Sequence, residues 1–335
     1  MIKMYKILFF NSLILGSLIS ISSYSWFSIW MGLEINLLSI IPLLNNPKNI
    51  FPSEAAMKYF ITQTMASVIL LFTIILIMNK MDNMIINMNF LMIMLNSTLL
   101  TKMGAAPFHF WFPEVMEGLN WFNCFIILTW QKIAPMIIMM YNINLIKFFT
   151  SIILISSLIG CIMGLNQISL RKIFTFSSIN HIGWMISTML YNQSIWFIYF
   201  ITYTIINLNL ISIFMKFNIF QMKQLFNSLN NNKSIKFLFM LNFLSIAGIP
   251  PFLGFMPKWL TINNLINNKL FFISFFLIIF TLISLYFYLR MMFSTMILNS
   301  SEKMNITYNK NFFIYFFNFM NLMGLLICTL IFNFY

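Results

Sequence analysis

Charge is what this sequence has least of. Lys, Arg, Asp and Glu together account for 7% of 335 residues, and only six side chains are acidic. A soluble domain is about 25% charged, so a water-facing surface is excluded for most of the chain. Arginine is confined to Arg171 and Arg290, which removes the guanidinium forks that grip bases and phosphates. The formal charge of +13 therefore points to no nucleic-acid partner; most lysines flank apolar runs, where anionic headgroups attract them. Cys124, Cys161 and Cys328 each stand alone in an apolar run, without a CxxC, and read as small buried residues. His109 and His181 lack a metal-ligand spacing. Walker, GxGxxG and HExxH motifs and a nucleophile triad are missing too. Asn96–Ser97–Thr98 matches a glycosylation acceptor, but it lies inside an apolar run where no surface loop is expected.

Long hydrophobic runs fill the chain instead. It is 61% hydrophobic with a mean hydropathy of +0.89. The runs are each about 20 residues long, the length of a membrane-crossing helix and about twice that of a barrel strand. The fold class is an all-α polytopic membrane protein. Eleven spans are expected, near 4–22, 25–44, 54–78, 84 onward past Lys102, 120–141, 145–165, 170–190, 194–217, 235–266, 270–298 and 312–332. Asn45, Asn46 and Pro47 end the second, Ser53 is placed to N-cap the third, and Pro135 is expected to bend the fifth. The polar connections at 45–58, 221–236 and 299–311 are too short to bury a soluble catalytic core. Nucleotide, flavin or iron–sulfur chemistry would then belong to partners.

Two spans carry interruptions. The fourth contains Pro107 and Pro113, and the ninth contains Gly248, Pro250, Pro251, Gly254 and Pro257. Each joins a lysine to a Pro-Phe pair, Pro107–Phe108 near Lys102 and Pro251–Phe252 before Lys258. Broken helices at corresponding positions of two halves are the pattern of an inverted-repeat transporter.

Ionisable groups inside these runs carry the functional argument, because a charge at bilayer depth normally faces a protein interior or a hydrated path. Glu34 and Lys132 lie near the centres of their runs. Brought together, such charges stabilise one another, and changing one partner's distance or hydration changes the other's proton affinity. Lys102 and His109 are seven residues apart, about two turns along a regular helix. Thr98 and Thr129 precede Lys102 and Lys132 on the same helical faces, where their hydroxyls suit a water relay. Lys258 follows the second break as a terminus or gate, and His181 is central in its span as packing donor or proton carrier. Lysines near span ends can instead snorkel to headgroups. Glu54 and Lys58 are expected to pair at i,i+4, with Glu114 and Glu117 as surface or interface charges. Ion movement through the membrane is the leading reading; a free-standing cation/proton antiporter and a purely structural membrane subunit are the alternatives.

The 41 Phe and 29 Met, with abundant Asn, Ile and Lys, match AT-rich codons and an ATA-methionine code. The gene is expected to be organelle-encoded; the first span begins almost at Met1, without an Arg/Ser-rich targeting stretch.

Taken together, WMGLEINLLSIIPLL, EAAMKYFITQTMAS, KMGAAPFHFWFPEV, WQKIAPM, SSINHIGWM and GIPPFLGFMPKW resemble the chain-2 family of antiporter-like core membrane subunits of mitochondrial NADH–ubiquinone oxidoreductase, respiratory complex I. The composition is insect-like. The resemblance implies two inverted five-helix repeats, 1–142 and 143–298, then a loop and terminal helix at 299–335. It assigns proton transfer to Glu34, Lys102, Lys132, Lys258, His109 and His181. It implies no cofactor in this chain; NADH, FMN, iron–sulfur clusters and ubiquinone would serve other subunits. Implied partners are membrane chains 4 and 4L, accessory subunits and a lipid such as cardiolipin, in the mitochondrial inner membrane.

Overall fold

The computed structural model describes residues 4–46, 49–79, 86–229, 233–297 and 312–332. Helix is the only regular element among them, as expected where no water is present to satisfy free backbone groups. Among the described residues, seven segments are long and apolar enough to cross a membrane: Met4–Ser22, Trp26–Leu44, Ile50–Asn79, Trp121–Met140, Ile146–Leu165, Gln193–Phe217 and Phe271–Thr295. The chain divides into two compact units, Met1–Ile155 and Ser156–Tyr335.

In the first unit, α1 (Met4–Ser22) packs along α2 (Trp26–Leu44). A Cβ on Gly32 would lie 2.6 Å from the Ser20 nitrogen, and one on Gly16 would lie 2.8 Å from the Asn36 nitrogen. Small residues thus let the two backbones touch, the usual basis of helix association in lipid. Helix α3 (Ile50–Asn79) begins earlier than the sequence suggests. Ser53 is inside it and donates back to the Ile50 carbonyl at 2.6 Å, so it is not the N-cap, and residues expected in the 45–58 connection are helical from Ile50 onward. Helices α4 (Ile86–Met103) and α5 (Trp111–Gly118) are the two arms of the first broken segment, with α5 packed on α3. Met84 and Pro47 lie outside the described residues.

The fifth expected span is interrupted at Thr129, ahead of its proline. Helix α6 (Trp121–Leu128) stops at Thr129, and α7 (Trp130–Met140) runs through Pro135. Thr129 sits at φ −118°, ψ −71°, and its hydroxyl donates to the Phe125 carbonyl at 2.7 Å. A threonine hydroxyl turned onto its own helix favours bending, and Pro135, inside α7, both withholds a donor from the Gln131 carbonyl and crowds it. Helix α8 (Ile146–Leu165) follows.

In the second unit, α9 (Leu170–Met189) is buried over almost its whole circumference. The unit continues with α10 (Gln193–Phe217), α11 (Met222–Leu229), α12 (Lys233–Ala247), α13 (Phe255–Asn267), α14 (Phe271–Ile297) and α15 (Phe312–Phe332), of which α10 and α13 pack against α9. The 221–236 stretch, expected as a polar connection, holds all of α11 and the start of α12. An amide ladder pins α15: Asn242 Nδ2 donates to Asn318 Oδ1, and Asn321 Nδ2 donates to Asn242 Oδ1 at 2.6 Å and to Ser245 Oγ at 2.9 Å. The expected 299–311 loop and the Cys328 side chain lie outside what is described.

Candidate proton-transfer site

Both broken segments are built the same way. Gly104 (φ +74°) and Gly248 (φ +77°) take the left-handed conformation that glycine adopts without penalty. Gly104 N–H bonds the Thr101 carbonyl and Ala105 N–H bonds the Leu100 carbonyl; Gly248 N–H bonds the Ser245 carbonyl and Ile249 N–H bonds the Leu244 carbonyl. This paired arrangement closes a helix C-terminus. Aligned on these glycines, the sequence repeats a proline, a phenylalanine and a second proline: Pro107, Phe108 and Pro113, then Pro251, Phe252 and Pro257. Pro113 and Pro257 each fall in the first turn of the following helix, where a missing N–H costs nothing. The residue after that proline is Glu114 in one segment and Lys258 in the other.

Each break carries its charge differently. Glu114 points outward and pairs with Lys58 at 3.1 Å, while Lys58 also pairs with Glu54 at 3.0 Å; all three are exposed, the surface role expected of Glu114. Lys258 turns inward and is 7% exposed. Its Nζ donates to the Ala247 carbonyl at 2.7 Å and to the Ile246 carbonyl at 3.4 Å. It therefore caps the C-terminus of α12 from across the break, where carbonyls lack helical partners and the dipole favours a cation. Trp184 lies beneath the ammonium, 5.8 Å from ring centroid to Nζ. One turn earlier on α9 is His181, whose Nδ1 is 2.8 Å from the Tyr199 hydroxyl. His181, Tyr199, Tyr203, Ser245 and Ile246 line a cavity of about 10 Å³.

In the first unit Lys102 is 7% exposed and Lys132 1% exposed. Neither snorkels. Lys102 occupies the last turn of α4, and Glu34 on α2 acts on it electrostatically. One Glu34 carboxylate oxygen, Oε1, is buried without a hydrogen-bond partner. Lys132 Nζ is 5.7 Å from the Phe112 ring centroid, so the helix after the break covers the lysine of α7. Thr98 and Thr129 donate to their own helix carbonyls at 2.6 and 2.7 Å, leaving hydroxyl lone pairs as acceptors. The two-turn spacing expected between Lys102 and His109 does not hold, because α4 ends at Met103. His109 sits in the break, stacked on Phe110 at 4.6 Å with Nδ1 3.3 Å from the Pro107 carbonyl.

The sequence reading missed the neutral polar groups between these charges. Asn36, Tyr59, Gln63 and Gln131 join Lys102, Leu33, Leu37 and Pro135 around a cavity of about 20 Å³. Gln131 Nε2 donates to Asn36 Oδ1 at 2.8 Å. Two longer contacts, Tyr59 OH to Gln131 Oε1 and Gln63 Nε2 to the Lys102 carbonyl, are both 3.5 Å. The arrangement gives each unit a buried lysine, polar side chains and a small cavity.

Comparison with known proteins points the same way. Residues 23–284 match the family described as NADH:quinone oxidoreductase/Mrp antiporter, transmembrane. The chain is 49% identical to NADH-ubiquinone oxidoreductase chain 2 of Anopheles gambiae, over 99% of this chain and 95% of that one. It is 52% identical to the chain 2 of Aedes aegypti, covering 98% of each. A chain of respiratory complex I from Thermus thermophilus superposes with a TM-score of 0.87 at 20% identity, over 97% of this chain and 78% of that one.

Proposed function

Since the chain belongs to the NADH:quinone oxidoreductase/Mrp antiporter membrane family, among the chain-2 subunits of NADH–ubiquinone oxidoreductase, we propose that Glu34, Lys102, Lys132, Lys258, His109 and His181 carry protons through it. It is a proton-translocating membrane-arm subunit of respiratory complex I, an assembly that oxidises NADH and reduces ubiquinone. The observation that carries the mechanism is Lys132: an ammonium 1% exposed within a membrane-crossing segment. A lysine at the centre of a span costs about 3 kcal/mol to insert, an expense that a packing role does not require.

In this reading Glu34 and Lys102 form an electrostatic pair whose spacing sets how readily Lys102 releases its proton. Lys132 receives and passes protons within the first unit. Lys258 and His181 do the same within the second, and His109 serves the first break. The chain holds no redox centre; NADH, FMN, iron–sulfur clusters and ubiquinone belong to other subunits. Eleven spans arise when α9, the two broken segments and the apolar α15 each count as a crossing beside the seven long apolar segments. The repeated glycine–proline–phenylalanine break supports two inverted five-helix repeats, 1–142 and 143–298, followed by 299–335. Expected neighbours are chains 4 and 4L, accessory subunits and cardiolipin, in the mitochondrial inner membrane.

The test is Lys132→Ala in the assembled complex. Proton pumping driven by NADH:ubiquinone turnover should fall by about a hundredfold, the lower end of what one positioned proton-transfer group contributes. NADH:ferricyanide activity, which needs only the redox arm, reports the amount of intact enzyme. A variant that assembles and keeps the wild-type proton-to-electron ratio would leave Lys132 with a structural role and defeat the proposal.

A further inference from the structure

The Gln131–Asn36 bond joins α7 to α2 beside the charges those helices carry. Gln131 immediately precedes Lys132, and Asn36 lies two residues beyond Glu34. Both amides are buried, Asn36 at 2% and Gln131 at 9% exposure, and they meet at 2.8 Å, a full-strength geometry. Their neighbours are looser. The two 3.5 Å contacts, at Tyr59 and Gln63, border the same cavity as Lys102. At that separation a bridging water competes well with the direct bond, and about 20 Å³ accommodates one water when polar partners are available. Pro135, which also lines the cavity, supplies no N–H to the Gln131 carbonyl.

We infer that Asn36 and Gln131 are positioning residues, an amide clasp that fixes the separation of α2 and α7 and closes a one-water chamber against Lys102. The inference rests on the proton-transfer reading given above. Asn36 Oδ1 accepts from Gln131, so neither facing group is left as an unsatisfied acceptor. The water is shared among Lys102, Tyr59 and the remaining amide groups. Opening the clasp would separate the Glu34-bearing helix from the Lys132-bearing helix and dissolve the chamber in one movement.

The geometry suggests a swap. Asn36→Gln lengthens one arm by a methylene, Gln131→Asn shortens the other, and together they restore the span with the same atoms. Each single variant should lower NADH-driven proton pumping per assembled complex about fivefold and shift its pH profile, whereas the double variant should recover most of the loss and the wild-type profile. A double variant that fails to assemble, or that pumps no better than the worse single, overturns the clasp. So do single variants that pump normally with an unshifted profile. Lys132→Ala, measured alongside, separates the two ideas: pumping lost there but retained in the clasp variants rejects the clasp alone. Pumping retained in Lys132→Ala rejects the proton-transfer reading itself.

Discussion

At the residue scale, the glycines of the two breaks differ in what surrounds them. Any other residue at Gly104 or Gly248 incurs the left-handed penalty of about 1–2 kcal/mol. A Cβ at Gly104 would also press on the Phe112 ring at 3.0 Å, whereas one at Gly248 would lie 2.7 Å from Lys258 Cδ and 2.9 Å from its Nζ. The lysine can move aside, but only by leaving the Ala247 carbonyl. Gly104→Ala and Gly248→Ala are therefore both expected to reduce the amount of assembled complex, seen on native gels. Gly248→Ala should also depress pumping per assembled complex, because it displaces the Lys258 ammonium directly. The charged candidates were readable in the sequence for a physical reason: a lysine in an apolar run is conspicuous. Asn36, Tyr59, Gln63 and Gln131 were not. Asparagine is abundant throughout this chain, and nothing in one dimension separates an amide that lines a cavity from one that faces a neighbouring helix.

Elements were legible in proportion to their length. The expected 4–22 and 312–332 spans have the bounds of α1 and α15, since an unbroken apolar run of that size has few alternatives in lipid. Short pieces were not: α5 and α11 have 8 residues each, too few for periodicity to register. The stop at Thr129 was hidden because a proline announces a disturbed helix in the sequence without marking the residue at which the helix stops. Nor did the sequence reveal how α15 is held. Its buried bonds to α12 run through Asn318 and Asn321, which are 2% and 1% exposed. Asn321→Leu removes two donated bonds and leaves Asn242 Oδ1 and Ser245 Oγ without that donor. Amide bonds in membranes average about 0.6 kcal/mol, yet a buried acceptor left unsatisfied costs about 1–3 kcal/mol. Asn321→Leu should accordingly lower the thermal stability of the detergent-extracted complex. Asn242→Leu/Asn321→Leu should cost less than the two singles combined, as facing apolar groups replace a half-broken pair. Full additivity in a melting series would contradict a direct bond between them.

At the scale of the whole molecule, acidic residues are unevenly shared. Five of the six, Glu34, Glu54, Asp82, Glu114 and Glu117, precede residue 156, and Glu302 alone follows it. The two units accordingly balance their buried ammonium groups by different means. Lys102 lies within electrostatic reach of Glu34; Lys258 has helix-end carbonyls and the Trp184 ring. A carboxylate can itself take up a proton, whereas a carbonyl cap can only hold or release the ammonium. On the proposed reading, the Glu34–Lys102 stage responds to protonation and the Lys258 stage is gated by backbone geometry at its break. If the units act as successive stages of one transfer, blocking either stage blocks the whole, and residues acting as one device are strongly non-additive. Lys132→Ala/Lys258→Ala should then pump no worse than the more damaged single variant, measured as protons per electron at matched assembly. Independent conduction in the two units would instead give a double variant whose loss is the sum of the single losses, and that result would divide the chain into two separate pathways.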